Sequence, residues 1–160
     1  MTIEIRPLCA EDFRDVGRIF FCAVHEGTQH AYTLEQRRAW AGDTIDLSRW
    51  KDRLTTLAGF IAEEDGDPVG FMTIDRTGYV DLAFVLPSAA GKGVGGSLLN
   101  AVEHWAVANG ATRLTSAASL VARSFFEKNG WTVLEEEEID RHGVVLRRFQ
   151  MQKTLAEGGQ

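Results

Sequence analysis

Four glycines crowd into Gly91-Lys92-Gly93-Val94-Gly95-Gly96, between a strand-like stretch ending at Leu86-Pro87 and an amphipathic helical stretch beginning at Ser97. Glycine accepts positive φ and lets a ligand approach the main chain closely. The N–H groups at the start of that helix are free of intrahelical partners. Together with the helix dipole they favour an anion. Lys92 adds a positive charge beside them. This is the chemistry of a phosphate or pyrophosphate cradle; a plain turn does not need four glycines at a helix start.

Three phosphate ligands compete for the loop. Gly91–Gly96 satisfies the dinucleotide pattern G-x-G-x-x-G, but that pattern follows the first strand of a parallel unit, with an acidic residue about 20 positions on. Here the loop lies deep in the chain, and Ala111–Ser119 holds no Asp or Glu. A Walker A loop needs Ser or Thr after its lysine, and Lys92 is followed by Gly93. Coenzyme A remains. Upstream, Asp81 stands inside an apolar strand pattern, where a carboxylate calls for an explanation, and Tyr79 shares its face by the period of two. Tyr32, Trp40 and Trp50 are aromatic groups able to wall an acceptor, and both tryptophans also suit a core.

These residues need elements to hold them. Thr2–Arg6 reads as a strand and Ala10–Val24 as a helix whose stripe is Phe13, Val16, Phe20 and Ala23. Thr33-Leu34-Glu35-Gln36 is a capping box opening a second helix, closed by Trp40. Asp46–Leu57 is a short helical segment with Trp50 and Leu54 four apart. Leu57–Glu63, Pro68–Asp75 and Tyr79–Leu86 form a meander with turns at Asp65-Gly66 and Thr77-Gly78. Ser97–Asn109 is a helix with Leu98, Val102, Trp105 and Ala106 inward, and Thr112–Ala117 is a strand. Ser119–Asn129 is a helix with Ser119 as N-cap and Gly130 past its end. Thr132–Ile139 and Val144–Lys153 close the fold around Arg141-His142-Gly143, and 156–160 reads as a disordered tail. The expectation is a mixed α/β class: one domain over 1–155, a central twisted sheet of about seven strands, and helices on both faces.

Composition narrows the function. A chain of 160 residues, 44 % apolar, can build a full core. Its net charge of −6 argues against a nucleic-acid partner. Cys9 and Cys22 have no metal-ligand spacing, so no metal is expected and the thiols fit a reduced compartment. The N-terminus has no signal-peptide pattern and no stretch is apolar enough to span a membrane, which leads us to expect a cytoplasmic protein with no membrane partner. The acidic run Glu135–Glu138 suits a solvated strand edge.

Ala90–Gly95 resembles the acetyl-CoA signature Q/R-x-x-G-x-G/A of the GNAT N-acetyltransferase superfamily, and Ala122–Trp131 resembles that family's helix ending "YEKxGF". The inferred element order is similar to its fold over nearly the whole chain. Gln29-His30-Ala31-Tyr32, Trp40-Ala41, Ser48-Arg49-Trp50-Lys51 and Ala122-Arg123-x-Phe125-Phe126 further resemble an uncharacterised bacterial branch. Two positions depart: Ala90 replaces the Q/R side chain, and Phe126 replaces a tyrosine held in relatives to protonate the departing thiolate.

The resemblance implies acetyl-CoA as co-substrate and direct transfer to a primary amine of a small molecule or peptide. Main-chain groups of Phe84 and Val85 would receive the pantetheine, with an N–H near Val85 polarising the thioester carbonyl. Residues Ala90 to Ser97, Ser119 and Phe126 would line the coenzyme. Asp81, with Tyr79, and then His25 and His30 are the candidates for proton handling. Tyr32 and Trp40 would face the acceptor, whose pocket would come from Glu26–Asp46 and Glu138–Gly143. Many relatives are dimers, so a homodimer is expected. A non-catalytic acyl-CoA-binding or sensing module is the alternative on the same fold.

Overall fold

The period-two stretches pair as their alternation demands, but the third strand of the meander breaks in the middle. A computed structural model of the chain describes residues 2–155; the tail expected at 156–160 lies outside the described residues. In chain order the elements are β1 (Ile3–Pro7), a 3₁₀ turn (Ala10–Asp12), α1 (Phe13–His25), α2 (Leu34–Ala41), α3 (Leu47–Arg53), β2 (Ala58–Glu64), β3 (Asp67–Ile74), β4 (Tyr79–Val80) and β5 (Ala83–Val85). A second 3₁₀ turn (Pro87–Ala89) leads to α4 (Val94–Ala108), β6 (Arg113–Ser119), α5 (Ala122–Lys128), β7 (Thr132–Arg141) and β8 (Val144–Thr154).

The strands form two four-stranded sheets, β1-β2-β3-β5 and β4-β6-β8-β7. Every pairing is antiparallel except β4 on β6. There are eight strands rather than seven because Tyr79–Leu86 divides at Asp81-Leu82. The cause is Thr73 on β3. Its N–H donates to Leu82 O at 2.9 Å, as a ladder should, but Leu82 N–H is taken at 3.0 Å by the Thr73 hydroxyl. A side-chain oxygen in the ladder displaces the strand locally, so β4 and β5 join different sheets.

Alternation along β2 and β3 sorts the core onto two faces. Ile61 and Phe71 pack with Leu82 against Val16 and Ile19 of α1 and Trp50 of α3. Ala62, Met72 and Ile74 pack on the other side with Leu98, Val102 and Ala106 of α4. Each fully buried Leu, Val or Phe contributes about 1.5–3 kcal/mol. The capping box closes as expected: Gln36 N–H donates to Thr33 Oγ at 3.1 Å and Thr33 N–H to Gln36 Oε1 at 2.9 Å. Asp65-Gly66 and His142-Gly143 all have positive φ, the signature of two-residue hairpin turns.

Three boundaries move. α3 is shorter than Asp46–Leu57. α4 starts at Val94, so Gly95 and Gly96 lie inside its first turn despite their low helix propensity. Ser119 ends β6 and is not the N-cap of α5, which is Val121, though its hydroxyl still accepts Ala122 N–H at 3.1 Å. Among the described residues no helix is long and apolar enough to cross a membrane.

Candidate functional site

The break at Asp81-Leu82 opens a splay between the sheets. β4 meets β6 only at Tyr79↔Thr115 and Val80↔Ser116, where the Ser116 hydroxyl donates to Val80 O at 2.8 Å. Past that point β5 pairs only with β3, and Ala117–Ser119 only with β8. The register fixes what faces the gap. Leu82 O accepts Thr73 N–H, and Leu86 N–H donates to Val69 O at 2.8 Å, so alternate residues of β5 are committed to β3. By the period of two, the N–H groups of Ala83 and Val85 point into the splay.

The glycine loop continues directly from β5. Gly91 (φ 79°) and Gly93 (φ 81°) are left-handed. Gly93 caps α4, and the first intrahelical bond runs from Ser97 N–H to Gly93 O at 3.1 Å. The N–H groups of Gly91 through Gly96 therefore make no hydrogen bond to the described residues. Side chains added at Gly91, Gly93 or Gly96 would enter open space, whereas a Cβ at Gly95 would lie 3.0 Å from the Phe125 ring. Two expectations change here. The Lys92 ammonium pairs with Glu64 at 2.9 Å and so is tied to the end of β2. Ala90 N–H is already used, donating to Pro87 O at 3.2 Å.

On the other side of the splay lies a cavity of about 590 Å³ whose lining includes Phe84, Ala117 and Ser119. Trp40 lines it edge-on to Tyr32 (ring centroids 5.4 Å apart) and 6.0 Å from Phe84, and Phe20 backs Phe84 at 4.9 Å. The buried Tyr32 hydroxyl accepts Leu120 N–H and donates to Arg147 O, both at 2.9 Å. That bond ties the segment before α2 to both β6 and β8. Asp81 enters the cavity with its Oδ2 3.0 Å from an Arg53 nitrogen. Beside it, burial first and the Asp81 charge next push the Tyr79 phenol above its ordinary range, so Tyr79 stays protonated and is a donor at neutral pH.

The site thus gathers Asp81, Tyr79, Tyr32, Trp40, Phe84 and Ser119, and its neighbouring loop gathers Val85 to Ser97. It does not gather the histidines. His25 Nε2 lies 2.7 Å from Gly42 O, where the ring ties α1 to the α2–α3 connection, and His30 is exposed; neither lines the cavity. Phe126 is also displaced from its expected place. It is 1 % exposed and stacks on Trp131 at 4.5 Å in the core, while Phe125 is the ring that faces the loop through Gly95. Sequence reasoning missed Thr73, which makes the splay, and Arg49, Arg53 and Arg141, which line the cavity. The only local signal for the arginines was the spacing of four between Arg49 and Arg53.

Residues 28–155 match the family described as Acetyltransferase (GNAT) domain. Among curated proteins, the uncharacterized N-acetyltransferase YafP of Escherichia coli strain K12 is 32 % identical over 151 residues, 94 % of this chain and 95 % of that one. Among solved structures, a GCN5-related N-acetyltransferase from Rhodopseudomonas palustris superposes with a TM-score of 0.90 at 33 % identity, covering 97 % of each chain. A phosphinothricin acetyltransferase from Sinorhizobium meliloti, solved with AcCoA, shares the fold at a TM-score of 0.76 and 21 % identity, covering 99 % of this chain and 91 % of the other.

Proposed function

Because the chain belongs to the GNAT acetyltransferase family, we propose that it moves an acetyl group from acetyl-CoA to a primary amine of a small molecule or peptide, by direct attack with both ligands bound. The observation that carries this reading is the splay: free N–H groups of β5 sit between an anion-accepting loop on one side and the cavity on the other. Acetyl-CoA supplies the acetyl group as an activated thioester.

The loop suits a pyrophosphate. Left-handed Gly91 and Gly93 turn successive N–H groups outward, and α4 adds its dipole. With Lys92 held by Glu64, the grip comes from the main chain, so the missing Q/R side chain at Ala90 removes little. Val85 N–H is the donor for the carbonyl oxygen as charge develops there. A donor fixed by strand register needs no reorganisation at the moment of reaction. Phe84 and Ser119 flank the path between the loop and the cavity.

Asp81 accepts the proton that leaves the attacking amine, directly or through one water, with Arg53 holding the carboxylate in place. Tyr79, kept protonated, is the nearby donor. With Phe126 in the core, no aromatic hydroxyl from α5 takes part in protonating the thiolate.

Calorimetric titration with acetyl-CoA and a thiol-release assay over a panel of amines test this reading. Binding accompanied by amine-dependent thiol release is expected, with Asp81→Asn lowering kcat about 10²–10⁴-fold. Tight binding without turnover on any amine would leave an acyl-CoA-binding module instead.

A further inference from the structure

Six arginines line the cavity, Arg38, Arg49, Arg53, Arg141, Arg147 and Arg148, against three carboxylates, Asp43, Asp46 and Asp81. This is a positive surface inside a chain of net charge −6. Four of the arginines have partners. Arg38 pairs with Asp43 and Arg53 with Asp81, each at 3.0 Å, while Arg147 and Arg148 reach across the β7–β8 ladder to Glu136 and Glu137. Asp46 is engaged as the cap of α3, accepting Arg49 N–H at 3.1 Å. Arg49 and Arg141 have no ion pair among the described residues. Set against Asp46, they leave the cavity with one net positive charge.

The free guanidiniums converge on the held one. Arg49 and Arg53 are four residues apart and so share a face of α3. Arg141 arrives at the end of β7, from across the cavity. Arg53 is immobilised between the Trp50 ring, 5.1 Å from its guanidinium carbon, and Asp81. Burial pushes the Arg53 guanidinium below its ordinary range, and Arg49 and Arg141 push it further the same way against the pull of Asp81. Three cations gathered beside one carboxylate repel one another until an anion joins them.

We propose that the acceptor is an amine that also carries a carboxylate, gripped by Arg49 and Arg141 at the outer end of the cavity with its amine turned past Arg53 toward Asp81 and the splay. This rests on the acetyl-transfer reading above. Guanidinium forks match a carboxylate in two parallel hydrogen bonds. The single surplus charge matches a carboxylate and falls short of a phosphate, which carries nearly two.

The test uses the full chain and matched ligands: a panel of L-amino acids, the α-amide of each, and the aminophosphonic acid counterpart of the best acid. Thiol release gives kcat and KM, and calorimetry on the CoA-saturated protein gives binding without turnover. The best acid is expected to show a KM at least about tenfold below that of its amide, the effect of about one charged hydrogen-bond pair. Arg49→Gln and Arg141→Gln are expected to bring that ratio close to one by raising the KM of the acid, with acetyl-CoA titration confirming that each variant folds. Both arginines are exposed, so neither change removes core packing. The proposal is overturned if acid and amide are used equally, if neither variant moves the ratio, or if the phosphonate is preferred. If no amine is acetylated, the transfer reading fails, and binding alone decides the anion site. Acids that bind in an Arg49-dependent way uphold it, and a panel in which no acid binds overturns it.

Discussion

Replacing Thr73 by valine keeps the shape of the side chain and removes the oxygen that makes the splay. Thr73 is 1 % exposed and Leu82 is 8 % exposed, so water cannot substitute for the lost acceptor of Leu82 N–H. A buried donor left without a partner costs about 1–3 kcal/mol. The added apolar group recovers up to about 0.8 kcal/mol, which leaves a net loss near 1–2 kcal/mol. In a domain of this size that lowers Tm by roughly 2–8 °C. If the strand instead relaxes so that Leu82 N–H finds Thr73's backbone carbonyl, β4 and β5 straighten toward one register. The gap that Val85 N–H faces then narrows. The first route costs stability alone, and the second weakens acetyl-CoA binding. Thermal unfolding, hydrogen exchange at the Leu82 amide and calorimetry with acetyl-CoA measure the three consequences. Thr73→Ser is the control, because it retains Oγ and loses only a methyl: it should cost stability but keep Leu82 protected and acetyl-CoA affinity close to wild type. A valine variant with Leu82 still protected and affinity unchanged refutes the claim that this hydroxyl builds the site.

Two further outcomes follow from single residues. Gly93→Ala forces an L-residue to φ 81°, ψ 7° at the cap of α4, a strain of about 1–2 kcal/mol, of which the stiffer unfolded chain returns about 0.4–1. The remainder should appear as lower stability in urea if the loop keeps its shape, or as an acetyl-CoA Kd up to about tenfold weaker if it relaxes; no change in either measurement contradicts the assigned loop geometry. Asp12 is buried at the start of α1, where burial opposes its charge but Arg6 (2.8 Å), Cys9 N–H (2.8 Å) and the Cys9 thiol overcome it and hold the carboxyl below its ordinary value. A depressed carboxylate contributes stability that is present above its unfolded pKa near 4 and is lost as pH falls through the folded value. Asp12→Asn should therefore be less stable than wild type by about 1–2 kcal/mol at pH 7, after screening at the part-exposed Arg6, with the gap narrowing by pH 3; an equal gap at both pH values assigns the effect to packing.

What the sequence made legible was local. The capping box at Thr33–Gln36 and the hairpin turn at Asp65-Gly66 are decided by neighbouring residues, and both form as read. The glycine loop is of the same kind, which is why six residues were enough to expose its ligand chemistry. Phe125 and Phe126 mark the limit. Adjacent rings of the same type cannot be assigned to core or site by spacing, and only the packing of Trp131 against one and Gly95 against the other separates them.

The rest of the site was hidden because long-range contacts make it. Nothing around Asp81 announces a broken strand: the cause is a hydroxyl nine residues before Leu82, on the neighbouring strand. Arg49 and Arg53 meet Arg141 only because α3 and the β7–β8 hairpin bound one cavity. These two sets of contacts are separate in the fold. Thr73 and the β3–β5 register fix the main-chain groups that face the acetyl donor, while α3 and the hairpin supply the charges that face the acceptor, with the Arg53–Asp81 ion pair and the packing of Trp50 on Phe71 linking them. Substitutions at Arg49 or Arg141 should therefore alter which amine is chosen and leave the donor side intact, whereas Thr73→Val should weaken donor binding whatever the amine. Arg53 belongs to both sides, so Arg53→Gln is the change expected to lower kcat and raise the acceptor KM together.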